Sequence, residues 1–480
     1  MAAAKKSRYL DLDERLQIGQ EARKRVPPGS HEGWVPAAHR RDPVALLEEQ
    51  DKTREADLVP VRHGRMMASP FTFYRGTAKV MAADLDGTPR SGLDVQLCGD
   101  AHLSNFGLFA SPERTLLFDL NDFDETLPGP FEYDVKRMAA SFMIGARNNG
   151  FTAADARSIT TGSVAAYRKA MSDFAQLRML DTWYSRLAEK DLMKGIARAA
   201  AAAATTKGNV SAAKKAVKRA KATRGKAHSR DSLQALSKLA ETVDGRYRIV
   251  SQPPIVVPAR DLGAVYGISV EQLAEVIRRQ FRDYRATLEA DRRVLLERFK
   301  VIDVARKVVG VGSVGTRAFI VLLQGRDAAD PLFLQVKEAT TSVLEDHLPH
   351  SQFRNPGERV VQGQRLMQAA SDIFLGWSKG VEAGYHYYWR QLRDMKGSIE
   401  VESMVPIGLS FYAGICGWTL ARAHARSGDP VAIDAYLGGG KAFDRGICDF
   451  CERYADQTDR DFEAFVAAIK SGQLEAAEEV

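Results

Sequence analysis

Residues 98–125, CGDAHLSNFGLFASPERTLLFDLNDFDE, decide how this chain is read. The run leading into them, LDVQLCG (93–99), alternates as a short strand does, and TLLFDL (115–120) predicts a second strand. Asp100 and Asn105 therefore lie just past a strand, five positions apart, and Asp119 ends the apolar stretch that follows. Asp122 and Asp124 come directly after it. Carboxylates this close repel one another unless a cation or basic side chains offset them. Phosphotransfer needs a carboxylate that orients or deprotonates a hydroxyl, with oxygen ligands for Mg²⁺ close by. Asp100 is thus the candidate catalytic residue, and Asn105, Asp119 and Asp122 are the candidate metal ligands. The plainer reading is an acidic turn in which Asn121 and Asp122 make local hydrogen bonds.

A second constellation lies far downstream. RKVVGVGSVGTRAFIVLLQG (306–325) sets Gly310, Gly312 and Gly315 in a G-x-G-x-x-G pattern between apolar runs. Glycines there let backbone N–H groups approach phosphates with no Cβ in the way. In a dinucleotide-binding fold a helix would begin near Gly315. AFIVLL predicts a strand instead. PLFLQVKEA (331–339) predicts a further strand, and Lys337 at its end is placed to contact the phosphates of ATP. Its acidic partner stays open between Glu345 and Glu358. The plainer reading of Lys337 is a solvent-facing strand residue.

These motifs resemble known ones. CGDAHLSN is similar to the H-G-D-x-H-x-x-N loop of aminoglycoside phosphotransferases and choline kinases, and LLFDLND to their strand ending in a metal-binding Asp. FEYDVKRMAAS (131–141) resembles their later segment in which an Asp, here Asp134, supports the catalytic loop. Cys98 departs from the usual His, and Asn121-Asp122 replaces a Gly-containing turn, which leaves the main metal ligand open between Asp119 and Asp122. In that group the Gly-rich loop and Lys precede the catalytic Asp; here they follow it. WTLARAHARSGD (418–429) resembles the helix that leads into the catalytic loop, and HYYWRQLRDMKGS (386–398) would supply the strand and hinge where adenine binds. The order implies a circular permutation. The stretches LVPVRHGRM, FTFYRGTAKVMAADL, VGVGSVGTR, PLFLQVKEA and VVQGQRLMQAASDIFLGW, with the two acidic segments, also resemble an uncharacterised bacterial family, domain of unknown function 2252.

The expected fold is α+β, a protein-kinase-like two-lobed fold in circularly permuted order with additional helices. Its parts are a helical and basic segment (1–92), a catalytic-loop and metal-binding part (93–190), an Ala/Lys-rich helical insertion (191–250), a helical connection (251–300), a sheet with the Gly-rich loop and Lys337 (301–400), and closing helices (401–480). The expected function is ATP- and Mg²⁺-dependent phosphotransfer to an unidentified hydroxyl-bearing acceptor. The alternative is a non-catalytic, pseudokinase-like nucleotide-binding regulator or scaffold.

Bulk properties narrow this further. The 480 residues are 45% hydrophobic and 27% charged, enough for a large core and unlike a disordered chain. The net charge of +7 is too small and scattered to argue for nucleic acid, although the basic segment 207–230 leaves RNA or an acidic partner open. The insertion predicts a helical hairpin turning at Gly208-Asn209, with a solvated helix pair as the preferred reading. No apolar run spans a membrane and the N-terminus lacks a signal-peptide core, so a cytoplasmic protein is expected. Four cysteines make no disulfide framework, and Cys448-x-x-Cys451 has no second pair to complete a zinc site. Arg62, Arg65 and Arg75 either hold an acidic ligand or pair with the Asp cluster. His102 reads as a structural, hydrogen-bonded histidine.

Overall fold

Period-two alternation of apolar residues builds the larger sheet. Along Pro331–Glu338, the side chains of Leu332, Leu334 and Val336 enter one apolar layer with Tyr284 and Trp389, whereas Phe333 enters the opposite layer with Ile320 and Leu322. The sheet is thus buried on both faces. A helix at Val270–Arg285 packs on the first, where the Tyr284 and Trp389 rings stack at 4.5 Å, and a helix at Ser232–Leu239 packs on the second. The computed structural model describes residues 9–204, 210–229, 232–243, 246–266, 269–308, 310–381, 384–392, 395, 397 and 399–477.

Six antiparallel strands form this sheet, in the spatial order Gly376–Lys379, His386–Gln391, Pro331–Glu338, Ala318–Gln324, Lys300–Lys307, Val256–Pro258. The register sets Lys337 opposite Ala318 on one side and Tyr388 on the other. Residues 318–324 are strand, so the helix required by a dinucleotide-binding reading is absent there. Within 251–300, expected as a helical connection, Val256–Pro258 is an edge strand of this sheet and helices occupy Ala259–Tyr266, Val270–Arg285 and Ala290–Leu296. A helix runs from Pro356 to Met367, and Asn355 caps its start by accepting from Gly357 N.

The acidic segment belongs to a second, mostly helical half. Strand Asp94–Leu97 pairs with Leu127–Pro130, and Phe106–Ala110 pairs with Leu116–Leu120 in a hairpin. Helices Phe131–Asn148, Ala153–Ala175, Pro406–Ser427 and Ala442–Lys470 enclose them in the main core. Phe131–Asn148 is buried along nearly its whole length, and its buried Glu132, Asp134, Lys136 and Arg137 side chains are each hydrogen-bonded inside. The end of Pro406–Ser427 lies against the strand before the acidic loop, where Gln96 N donates to Ser427 Oγ at 3.1 Å. Chain segments more than 300 positions apart are neighbours there.

Local signals act as their chemistry suggests. Asp42 accepts from Ala45 N at 2.8 Å ahead of Pro43 in the first turn of Pro43–Asp51, and Ser269 with Gln272 forms a capping box. Helices Glu189–Ala204 and Val210–His228 occupy the insertion, while the expected Gly208-Asn209 turn lies outside the described residues. Cys448 and Cys451 are buried free thiols of the C-terminal helix. Among the described residues no helix is long and apolar enough to cross a membrane.

Candidate functional site

The two constellations meet. A cavity of about 540 Å³ is lined by Asp100, His102, Asn105, Asp122 and Asp124 on one side and by Gly310, Gly312 and Ser313 on the other. Alternation along the Lys337 strand turns Lys337 away from Leu334 and Val336, onto the sheet face that also carries Tyr388 and Arg390. That face receives the acidic turn. Lys337 Nζ lies 2.6 Å from Asp124 Oδ2 and 3.7 Å from Asp122 Oδ2, and it donates to Ser313 Oγ at 3.2 Å. Tyr388 donates to Asp124 Oδ1 at 2.7 Å, and Arg390 donates to the Asn121 carbonyl at 3.0 Å. Lys337 and Asp124 are 213 positions apart in the chain.

The electrostatics follow from this packing. Burial alone would pull the Lys337 pKa down, but Asp122 and Asp124 more than offset it and hold the ammonium above the usual lysine range. Burial alone would raise Asp124; Lys337, Tyr388 and Arg390 instead hold it below the usual carboxylate range. Arg359, fully buried on Pro356–Met367, donates to the carbonyls of Asp124, Thr126 and Thr340. It ties the acidic turn to the loop that follows the Lys337 strand.

The loop 98–105 is held from below. Asp134 Oδ2 accepts from Cys98 N at 2.6 Å and Oδ1 from Gly99 N at 3.0 Å, while His424 Nε2 stands 3.2 Å from Oδ2. Gly99 is required at this point: its φ is +85°, and a Cβ would lie 2.2 Å from the Glu125 carbonyl oxygen. Asn105 Nδ2 donates to the Asp100 carbonyl at 2.6 Å, which closes the loop on itself. Asp100 Oδ1 accepts from Arg137 Nε at 2.8 Å, and Arg137 is anchored in turn on the Tyr74 carbonyl. His102 accepts from Ser104 N through Nδ1, a structural role, and burial depresses its pKa from 6.5 to about 3.

Asp119 is placed differently from Asp122. It does not line the cavity. Its buried carboxylate is engaged by Arg422 of Pro406–Ser427 and accepts from Ala369 N at 2.9 Å. The reason is register: Asp119 is still within the hairpin, paired with Gly107, whereas Asp122 and Asp124 lie beyond its end, where the turn meets the sheet. Neither Glu345 nor Glu358 appears beside Lys337; the acidic turn takes that position.

The glycine loop is fastened by the N-terminal region. Arg65 donates to the Gly310 carbonyl at 2.7 Å, Arg54 to the Val314 carbonyl, and Glu55 N to the Gly315 carbonyl at 2.8 Å. Gly310 and Gly315 have φ of +68° and +88°, which disfavours any side chain there. Of the three arginines noted in the sequence, Arg62 is buried against Asp51, Arg65 holds Gly310, and Arg75 lines the cavity. Sequence reasoning placed Asp124 in the acidic run and Tyr388 and Arg390 in the strand and hinge segment, but it gave no role to these three side chains or to Arg359.

Asn105, Asp122 and Asp124 present a carboxamide and two carboxylates on the cavity wall, the hard oxygen donors that Mg²⁺ takes. Among the described residues no three His, Cys, Asp or Glu side chains cluster as a complete metal cage. Searches of curated proteins and of solved structures gave no match. The model of a family described as an uncharacterized protein conserved in bacteria (DUF2252) matches residues 54–468, and the chain belongs to that family.

Proposed function

We propose that the cavity is the site of an ATP- and Mg²⁺-dependent phosphotransferase built on a circularly permuted, protein-kinase-like arrangement. The observation that carries this reading is the meeting of Lys337 with Asp122 and Asp124, beside Gly310–Ser313 and across from Asp100 and Asn105. Phosphoryl transfer asks a protein mainly to position groups and to stabilise charge. Gly310, Gly312 and Gly315 would receive the nucleotide phosphates, with Lys337 neutralising them. Asn105, Asp122 and Asp124 would hold Mg²⁺, which supplies charge neutralisation at the transferring group. Asp100 is fixed by Arg137 through Oδ1, and its Oδ2, 3.8 Å from His102 Nε2, would take the acceptor hydroxyl. The strand order supports the permuted reading: the Lys lies on the third of three consecutive antiparallel strands, with the glycine turn between the first two and a helix next. The closeness of Ser427 to Gln96 supports the permutation, because the helix end and the strand before the loop are spatial neighbours.

One observation favours a second reading. Lys337, the group for the phosphates, is engaged by Asp124 itself. A nucleotide-binding regulator without turnover would retain such a pair. The test is Mg²⁺-dependent ATP turnover, alongside ATP binding by calorimetry, in the wild type and in Asp100→Asn. The expected result is binding in both, with turnover reduced by about 10³-fold or more in the variant. Equal turnover in both proteins defeats the assignment of Asp100. ATP binding with no turnover in either selects the regulator, and no ATP binding at all removes both readings.

A further inference from the structure

A second cavity, of about 320 Å³, lies in the helical insertion and shares no lining residue with the acidic one. Its walls come from the helices Glu189–Ala204, Val210–His228 and Pro406–Ser427, with Leu108 and, from the segment before the last helix, Ile399, Glu400 and Met404. The cause of the void is compositional. The first two helices present Ala199, Ala200 and Ala220 where the third presents Ile407 and Phe411. Alanine has nothing beyond Cβ, so helices seated side by side leave the space between them unfilled. A dry apolar void forfeits dispersion contacts along its walls, and one of about 150 Å³ already admits a benzene molecule.

The rim has a definite charge. Lys215, Arg219, Arg224 and Lys226 line it, against Glu189 and Glu400. Both carboxylates are engaged: Glu189 by Arg224 and by His228, and Glu400 by Lys226 at 3.7 Å. Lys215 and Arg219 have no carboxylate partner among the described residues, so the mouth carries surplus positive charge. From the apolar lining, the unfilled volume and this charge, we infer that the cavity binds a single-chain amphiphile, with its hydrocarbon tail among Ile196, Ile407 and Phe411 and its anionic head at Lys215 and Arg219. The ligand is taken up as a monomer, because the site is a pocket between helices and not a flat apolar face.

The test is titration of the full-length protein with dodecanoate and, separately, dodecanol, both below the concentration at which they aggregate, followed by calorimetry. The expected result is saturable uptake of one dodecanoate per chain. Ala200→Leu, which narrows the cavity, weakens uptake of both compounds by at least about tenfold. Arg219→Glu weakens dodecanoate by at least about tenfold and leaves dodecanol unchanged. Ile407→Trp narrows the cavity from the opposite wall and repeats the first loss should Ala200→Leu fail to fold. The inference is overturned by absence of saturable dodecanoate uptake, by uptake that neither narrowing variant weakens, or by dodecanoate affinity insensitive to Arg219→Glu. Binding seen only to sedimented phosphatidylglycerol vesicles, with no monomer uptake, also overturns it. None of these readings involves ATP, so failure here leaves the phosphotransfer assignment untouched.

Discussion

His102 shows what one residue contributes. Its ring is buried beside Asp100, and burial, reinforced by Arg75 and Arg137, holds it neutral with a pKa of about 3 against an ordinary 6.5. A group whose folded pKa is depressed in this way binds a proton more readily once the chain unfolds. Stability is therefore full above about pH 6.5 and falls as the pH drops toward 3. The contribution is one proton, or at most about 1.4 kcal/mol per pH unit. His102→Gln keeps an acceptor for Ser104 N but cannot titrate. Urea unfolding between pH 4 and 7 should show a shallower loss of stability on the acid side in that variant. Parallel curves for the two proteins would mean that His102 is not the titrating group. Asp119 and Asp122 carry the complementary lesson. They are three positions apart and chemically identical, yet one is engaged by Arg422 and the other lines the cavity.

At the scale of elements, the helix Pro356–Met367 is the brace between the sheet and the acidic turn. Arg359 donates to three carbonyls and has no solvent exposure to replace them. Gly363 lets the helix approach Thr126, since a Cβ there would lie 2.5 Å from that side chain. Arg359→Met keeps the length of the side chain and removes all three donors. It should cost about 2 kcal/mol in urea unfolding, chiefly because the buried Thr126 carbonyl is left unpaired. It should also weaken ATP, since the turn bearing Asp122 and Asp124 loses its anchor. A stable variant with wild-type ATP affinity would show that the brace is dispensable. The short strand Val256–Pro258 was not legible in advance: PPIVVP reads as a boundary, and only pairing with Lys300–Lys307 makes it a strand.

The whole molecule places its acidic cavity between a sheet-bearing half and a helix-bearing half, closed on one side by the N-terminal region through Arg54, Arg65 and Arg75. A ligand bound across such a boundary stabilises both halves together. ATP with Mg²⁺ at 100 times its Kd should add about 2.7 kcal/mol to unfolding. The expected thermal melt is a single transition shifted upward by ATP with Mg²⁺ and unmoved in Lys337→Met. A shift of equal size in that variant would place the nucleotide elsewhere.

The sequence by itself determined the family, the strands around the acidic loop and the glycine turn, and the grouping of Asp100, Asn105, Gly310 and Lys337 as candidates. Those signals are local: strand alternation, turn chemistry and motif spacing act within a few residues. Only the tertiary structure decided that Asp122 and Asp124, and not Asp119, stand beside Lys337. It also decided that Tyr388, Arg390 and Arg359 receive the turn, and that the Ala-rich insertion encloses a void. Each depends on which face of one element meets another more than 200 positions away, and no short-range pattern encodes that.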